Sequence, residues 1–413
     1  MDPKHILDGY RILDFTQYLA GPTTSRLAAE LGAEVIKVEL MPAGDPVHML
    51  PHRRKGRSGY YIQQSRGKKS ICVDIRNPAG LALIKDLIKE CDILLENFAP
   101  GAIARLGLGY DVVKAIKPDI IMCSISAFGQ TGPLSKLPGF DYIAMAVSGV
   151  MDMIGDPDEP PYFPMLGIGD VSAGVHALAA INGALLYHLR TGKGQYIDIS
   201  LLDSYFHSHE INVQAYSGSG GKIVPQRAGH HHYAAAPLGL FKCQDGYLFM
   251  VVMARQWGLL CEAMGRVDLA ESPEFDTNMK RVERKDELVE IIEGWLSNYK
   301  RDDALKLLED LHIPVAPVLS VPEAMAHPHL IEREVVRTIS DRGYGDLQIP
   351  GVPLRFSEFP EKLDLQAPYL GEYNREVLGD ILGMSDADID ALANAGVIKA
   401  EPLPEGVKTL AAR

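Results

Sequence analysis

One carboxylate stands out by its neighbours. In "LGIGDVSAGVHALAAINGALL", Leu166 to Leu186, Asp170 follows Gly167 and Gly169 and precedes a run of small and apolar residues. Two chemistries suit an aspartate there. As a helix cap it would accept the orphan N–H groups of the first turn, and Val171, Val175, Leu178, Ile181 and Leu185 fall on one helical face behind it. As a nucleophile it would attack an activated acyl group, with the flanking glycines allowing close backbone approach. The residue pattern by itself favours the cap and leaves the second role open.

Other reactive residue types form no complete set. The run "GHHHYAAAP", Gly229 to Pro237, has adjacent histidines that cannot all face one ion, and no carboxylate completes a ligand group, so a solvated loop is expected and no metal. Five cysteines, Cys72, Cys91, Cys123, Cys243 and Cys261, lie far apart without a CxxC pair, which argues against a zinc site and a disulfide framework. After the first expected strand, "DFTQYLAGPTTSRL" offers only Gly21 and Pro22, so a dinucleotide fingerprint is missing, as are a GxxxxGK[ST] phosphate loop and a GxSxG elbow.

Composition narrows the class further. The 413 residues are 46% hydrophobic and 23% charged, ordinary for a globular enzyme of two domains. A formal net charge of −13 speaks against nucleic-acid and membrane-surface partners, which select a net basic face. The most membrane-like run, Ser172 to Leu189, contains His176, Asn182 and His188 and many small residues, so a closely packed buried helix is expected. With no secretory leader pattern and no cysteine framework, the expected location is the reducing cytoplasm.

The elements that must carry Asp170 are legible as an alternation. "YRILDF", "VIKVE", "SICVDI", "ILLEN", "IIMCSIS" and "GQYIDIS" read as strands, and "TTSRLAAELGA", "PAGLALIKDLIKECD" and "GAIARLGLGYDVVKAIK" read as helices between them. This is the pattern of an α/β, Rossmann-like domain with a parallel sheet. The glycine-rich "YSGSGGKIVPQ", Tyr216 to Gln226, marks an exit from that domain. A smaller α+β domain follows, with "DGYLFMVVM" as strand and "QWGLLCEAMG" and "RKDELVEIIEGWLSNY" as helices. The expected divisions are 1–220, 221–330 and 331–413.

Seven segments, in order, resemble the family III coenzyme A transferases: "LDFTQYLAGP", "GAEVIKVELMPAGD", "GKKSICVDIRNPAG", "LLENFAPGAIARLGLGYD", "GFDYIAMAVSGV", "GIGDVSAGVHALAAINGALL" and "RTGKGQYIDISLLDS". The resemblance implies that segment 331–413 returns to the large domain and that two chains interlock as a homodimer. It aligns Asp170 with the family's catalytic aspartate. It implies coenzyme A contacts at Gln17, Tyr18, Leu19, Ala20, Val73, Arg76, Asn97, Phe98 and Arg105, with Lys68 and Lys69 as further cations. The substrates implied are an acyl-CoA and a free carboxylic acid, with coenzyme A carried as a thioester and no separate cofactor. Arg227 and the loop His230 to Tyr233 are expected to bind the acid's carboxylate.

Departures from the family's subgroups shape the expected reaction. Leu19 and Leu40 replace a glutamine and an arginine of the oxalate-type enzymes, and "RAGHHHYAAAPLG" stands where those carry a glycine run, so a succinyl-CoA or other dicarboxylic donor fits better. A related α-methylacyl-CoA racemase would need a histidine where "PGFDYIAM" has Phe140, and phenylalanine carries no proton. A non-catalytic acyl-CoA-binding protein, with Asp170 only capping, is the alternative from another class.

Overall fold

The computed structural model describes residues 5–360 and 362–411. In chain order its first part runs β1 (Arg11–Asp14), α1 (Ala20–Glu30), β2 (Glu34–Leu40), a short hairpin of β3 (Arg53–Arg54) and β4 (Arg57–Ser58), α2 (Gly59–Ser65), β5 (Lys68–Val73), α3 (Pro78–Lys89) and β6 (Ile93–Glu96). It continues through α4 (Ala102–Arg105), α5 (Tyr110–Ile116), β7 (Ile121–Ser126), α6 (Asp141–Val147), α7 (Ile168–Thr191), β8 (Gln195–Ser200) and α8 (Leu201–Phe206).

The six expected strands make one sheet in the order β5-β2-β1-β6-β7-β8, and every pairing in it is parallel. Helix starts follow local chemistry. Asn77 caps α3, accepting from the Ala79 N–H, with Pro78 in the first turn where its missing donor costs nothing. The long helical run expected after Gly101 breaks into α4 and α5 around Gly107 and Gly109, the former at φ 82°.

Strand order decides where a ligand can enter. From β1 the chain winds outward through β2 and β5, then returns to place β6 on the other side of β1. The order therefore reverses between β1 and β6, and loops leaving their carboxyl ends diverge to open a crevice.

One face of the sheet packs on α3 through Leu13, Val38, Ile71, Ile84, Leu87 and Leu94, and residues of the C-terminal part, Tyr373, Val377, Ile389 and Ile398, complete this core. Each such fully buried side chain contributes roughly 1.5–3 kcal/mol. On the other face α7 packs against α1. Its buried residues are Gly169, Ala173, Gly174, Ala177, Leu178, Ile181, Ala184 and Leu185, while Val171 and Val175 are exposed. The expected apolar face holds at Leu178, Ile181 and Leu185 and is corrected at Val171 and Val175: towards the helix start Gly174 turns inward instead, where α1 comes too close for a larger residue. A Cβ on Gly174 would lie 2.6 Å from the Ala20 carbonyl oxygen, and the Thr24 hydroxyl donates to the Gly174 carbonyl at 3.0 Å. Gly192, at φ 69°, ends the helix.

Two compact units divide the chain: 1–148, 165–208 and 331–413 in one, and 149–164 with 209–330 in the other. The chain thus leaves the first unit after Ser208 and not at the expected division of 220. Tyr216 to Gly218, expected as linker, complete a helix, Asn212–Gly218, in the second unit. The second unit has a three-stranded antiparallel sheet of β9 (Leu238–Lys242), β10 (Tyr247–Val251) and β11 (Val315–Pro317). Helices Ala254–Ala263, Lys285–Leu296 and Arg301–Asp310 pack on it around Phe241, Leu248, Met250, Trp257 and Ile292. In the first unit, β12 (Val336–Asp341) and β13 (Gly345–Pro350) form an antiparallel hairpin.

Candidate active site

Asp170 is the third residue of α7, and it does not cap it. Gly167 holds the cap position, and no side chain accepts there. The expected capping role is corrected by this one-turn displacement, which leaves the carboxylate free for other work. Two neighbours occupy the helix start instead. Asp141, buried at the first turn of α6, accepts the Asp170 backbone N–H on Oδ2 at 3.1 Å and the Tyr205 phenol on Oδ1.

The two glycines read from the sequence prove to be packing requirements. A Cβ on Gly169 would stand 2.2 Å from the Tyr205 ring, and one on Gly167 would stand 2.4 Å from the Leu19 side chain. The ring of Tyr205 and the body of Leu19 thus press on the turn that carries Asp170. The Asp170 N–H is taken by Asp141, and no hydrogen-bond donor among the described residues reaches the Asp170 carboxylate. Burial, and after it the charge of Asp141, push its carboxyl up to about 7. Tyr60, in the first turn of α2, is pushed up to about 12 by burial and then by Asp170 and Asp45.

At the reversal of strand order, the loops after β1 and β6 lock together. The Gln17 N–H donates to Asn97 Oδ1 at 2.8 Å, and Asn97 Nδ2 donates to the Gln17 carbonyl at 2.8 Å. Beside this pair opens a cavity of about 290 Å³ lined by Gln17, Tyr18, Asn97, Phe98, Phe128 and Phe140, among others. Tyr18 holds a left-handed backbone, φ 63°, with its N–H on Asp45 Oδ1 at 3.3 Å. Asp45 is in turn paired with the buried Lys37 at 2.9 Å, and Lys37 also donates to the Thr16 carbonyl. The strained turn is over-determined from below, as such turns at ligand sites are. Under Phe98, Glu96 accepts its N–H at 2.7 Å, and burial raises the Glu96 carboxyl to about 7.

Of the coenzyme A positions implied by resemblance, Gln17, Tyr18, Asn97 and Phe98 thus share one cavity wall. Leu19 and Ala20 begin α1 beside Gly167 and Gly174. Arg76 and Arg105 are exposed, on the loop before α3 and at the end of α4. Val73 is buried in the sheet core. Lys68 and Lys69 are corrected. Lys68 is fully buried on Asp14 and Ser25, and Lys69 pairs with Glu34 and Glu376, so neither ammonium is free for phosphate. In the second unit, Arg227 is bound by the Asp152 carboxylate and donates to the Asp156 carbonyl at 3.2 Å. Among the described residues no group of three or more His, Cys, Asp and Glu could hold a metal ion.

Sequence reading missed Asp141, Tyr205, Tyr60, Asp45 and Lys37. Asp141 and Tyr205 lie within or just beyond the segments that carry the family resemblance. Their meeting at Asp170 depends on tertiary packing of α6, α7 and α8, which no local pattern encodes.

A parallel sheet with its crevice at the strand reversal, beside an uncapped, desolvated carboxylate at a helix start, defines an α/β group-transfer enzyme. The fold matches a CaiB/BaiF family protein from Brucella suis, TM-score 0.81, at 33% identity over 91% of this chain and 99% of that one. A profile described as CoA-transferase family III matches residues 7–374, and the chain belongs to that family. It is 35% identical to the succinyl-CoA–D-citramalate CoA-transferase of Chloroflexus aurantiacus over 96% of this chain and 99% of the relative. It is also 35% identical to the succinyl-CoA:glutarate CoA-transferase of Mus musculus, over 96% and 91% respectively.

Proposed function

We propose that this CoA-transferase moves coenzyme A from a dicarboxylic acyl-CoA, succinyl-CoA in the first instance, to a free carboxylic acid, with Asp170 as the nucleophile. The observation that carries the reading is the Asp170 carboxylate itself: fixed by its backbone, deprived of donors, and desolvated. A carboxylate without hydrogen bonds is a stronger nucleophile than a solvated one. Both relatives above are named for succinyl-CoA and a dicarboxylic partner, which supports the donor class.

The steps balance without redox change or metal. Asp170 Oδ attacks the thioester carbonyl, the C–S bond breaks, and a mixed anhydride and coenzyme A thiolate result. The thiolate attacks the aspartyl carbonyl of the anhydride and releases the donor acid as its carboxylate, leaving an aspartyl thioester. The acceptor carboxylate attacks that thioester and expels the thiolate, and the thiolate takes the acceptor's acyl group, returning Asp170 as carboxylate. No cofactor is consumed. The cavity at Gln17 and Asn97 would take the thioester arm, and Phe140, 71% exposed and edge-on to Tyr18, would offer an apolar wall. Phe140 cannot serve as a base, so the racemase reading finds no proton carrier there.

We further infer a homodimer. The outer face of α7 leaves Val171, Val175, Leu186, Tyr187 and Leu189 exposed, an apolar stripe of the kind that a second chain covers. Five unpaired, buried cysteines suit a reducing cytoplasm. Screening a panel of acyl-CoA donors against free acids, with products identified by mass, tests the reading. Transfer from succinyl-CoA to a dicarboxylic acid supports it, and activity only with monocarboxylic pairs would remove the donor assignment.

A further inference from the structure

The β3–β4 hairpin gathers Arg53, Arg54, Lys55 and Arg57 in a chain of net charge −13. Arg57 is the structural member. It is buried, its Nε and Nη2 grip the two Asp341 carboxylate oxygens at 2.9 Å each, and it donates to the Ala367 and Pro368 carbonyls. Arg53 donates only to the Gly56 carbonyl of its own turn, and Arg54 lies over the Tyr344 ring at 4.7 Å. Among the described residues, no carboxylate pairs with Arg53, Arg54 or Lys55.

The turn itself is strained. His52 and Lys55 hold left-handed backbones at φ 62° and 51°, a conformation that L side chains rarely adopt. Anchorage through Arg57 and Asp341 maintains it. Beneath the hairpin lies a cavity of about 260 Å³, walled by His48, Arg53, Lys55, Arg57, Tyr369 and Glu401. Arg57 is neutralised by Asp341, and His48 is paired with Glu39 at 2.8 Å. That leaves two cations, Arg53 and Lys55, facing one carboxylate, Glu401, which already accepts the Leu370 N–H. The cavity is cationic.

It is also joined to the reacting end of the site. The hairpin runs through Ser58, which caps α2, directly into Tyr60 in the first turn of that helix. From the cavity's own wall, His48 leads through Glu39 to the Asp45 N–H at 3.0 Å, and Asp45 holds the Tyr18 turn.

We propose that this cavity binds an anionic group of a substrate, with Arg53 and Lys55 as the donors. The assignment rests on the CoA-transfer reading above. Guanidinium and ammonium donate equally well to phosphoryl and carboxylate oxygens, so the shared chemistry has two sources in this reaction. One is the ribose 3′-phosphate of coenzyme A, and the other is the distal carboxylate of a dicarboxylic acid.

The test compares full-length wild type with Arg53→Gln/Lys55→Gln. Titration calorimetry measures binding of coenzyme A against 3′-dephospho-coenzyme A, and kcat/KM is measured for succinate against butyrate as acceptor. Wild type should prefer the anionic member of one pair, and the variant should lose about tenfold or more of that preference, with an unchanged melting temperature. Which pair responds names the source. Arg53→Lys/Lys55→Arg should restore the preference. Wild-type ratios retained in both pairs, or a change confined to the sedimentation coefficient, would overturn the proposal. Binding ratios that respond in a protein with no transfer activity would instead reject the CoA-transfer reading and leave the cavity assignment standing.

Discussion

The Asp141 carboxylate accepts the backbone N–H of Asp170 at 3.1 Å, so one acid holds the chain of the other in place while its charge opposes ionisation of the other. The same contact fixes position and sets protonation. Asp170 must be ionised to attack, and with its carboxyl raised to about 7, activity should climb with pH through that value. Asp141→Asn keeps an acceptor and removes the like charge, so the rise in kcat/KM should move to lower pH. A pH profile identical to wild type would show that Asp141 does not tune Asp170.

Asn97→Ala should strike binding rather than chemistry. It deletes both 2.8 Å hydrogen bonds that tie the loops after β1 and β6 together, each worth about 0.5–1.5 kcal/mol. KM for the acyl-CoA is expected to rise about tenfold or more, with a smaller change in kcat. An equal KM for the thioester in both proteins would detach the crevice from coenzyme A.

The buried charges behind Tyr18 give a pH signature of their own. Burial alone would raise the Glu39 carboxyl, but the hydrogen bond and charge of His48, with Lys37 and the Asp45 N–H, hold it at about 2 against an ordinary 4.5. Its folded value lies below its unfolded one, so its contribution is present above about 4.5 and is lost as pH falls towards 2. Unfolding free energy should fall by a few kcal/mol across that window. Glu39→Gln should be less stable at neutral pH and flatter in acid. Chemical denaturation at stepped pH measures both, and parallel curves would contradict the assignment.

Much of this architecture was legible because the strands read as short runs rich in β-branched and apolar residues; β1, β2, β5, β6 and β7 are buried, and β8, at the sheet edge, is half-exposed. Asp170 was legible as a reactive residue through its segment, but its geometry was not. Periodicity puts Val171 and Val175 on the buried face, whereas the close crossing of α1 leaves them exposed and turns Gly174 inward. Lys68 and Lys69 looked alike. Strand alternation points the first at buried Asp14 and the second at the rim, a distinction that depends on pairing between β5 and its neighbours. Asp141 and Tyr205 were silent because their meaning lies in a contact 64 positions apart in the chain.

In the proposed reaction Asp170 carries the acyl group and then coenzyme A. Intact-protein and peptide mass spectrometry of the enzyme mixed with succinyl-CoA, without acceptor, tests it most directly. Wild type should accumulate an adduct on the peptide containing Asp170 that hydroxylamine converts to a hydroxamate. Asp170→Asn should form no adduct and lose transfer by several orders of magnitude. Because removal of a half-buried, raised carboxylate relieves a cost at neutral pH, its melting temperature should equal or exceed that of wild type. A folded Asp170→Asn protein that still transfers coenzyme A near the wild-type rate would contradict the account.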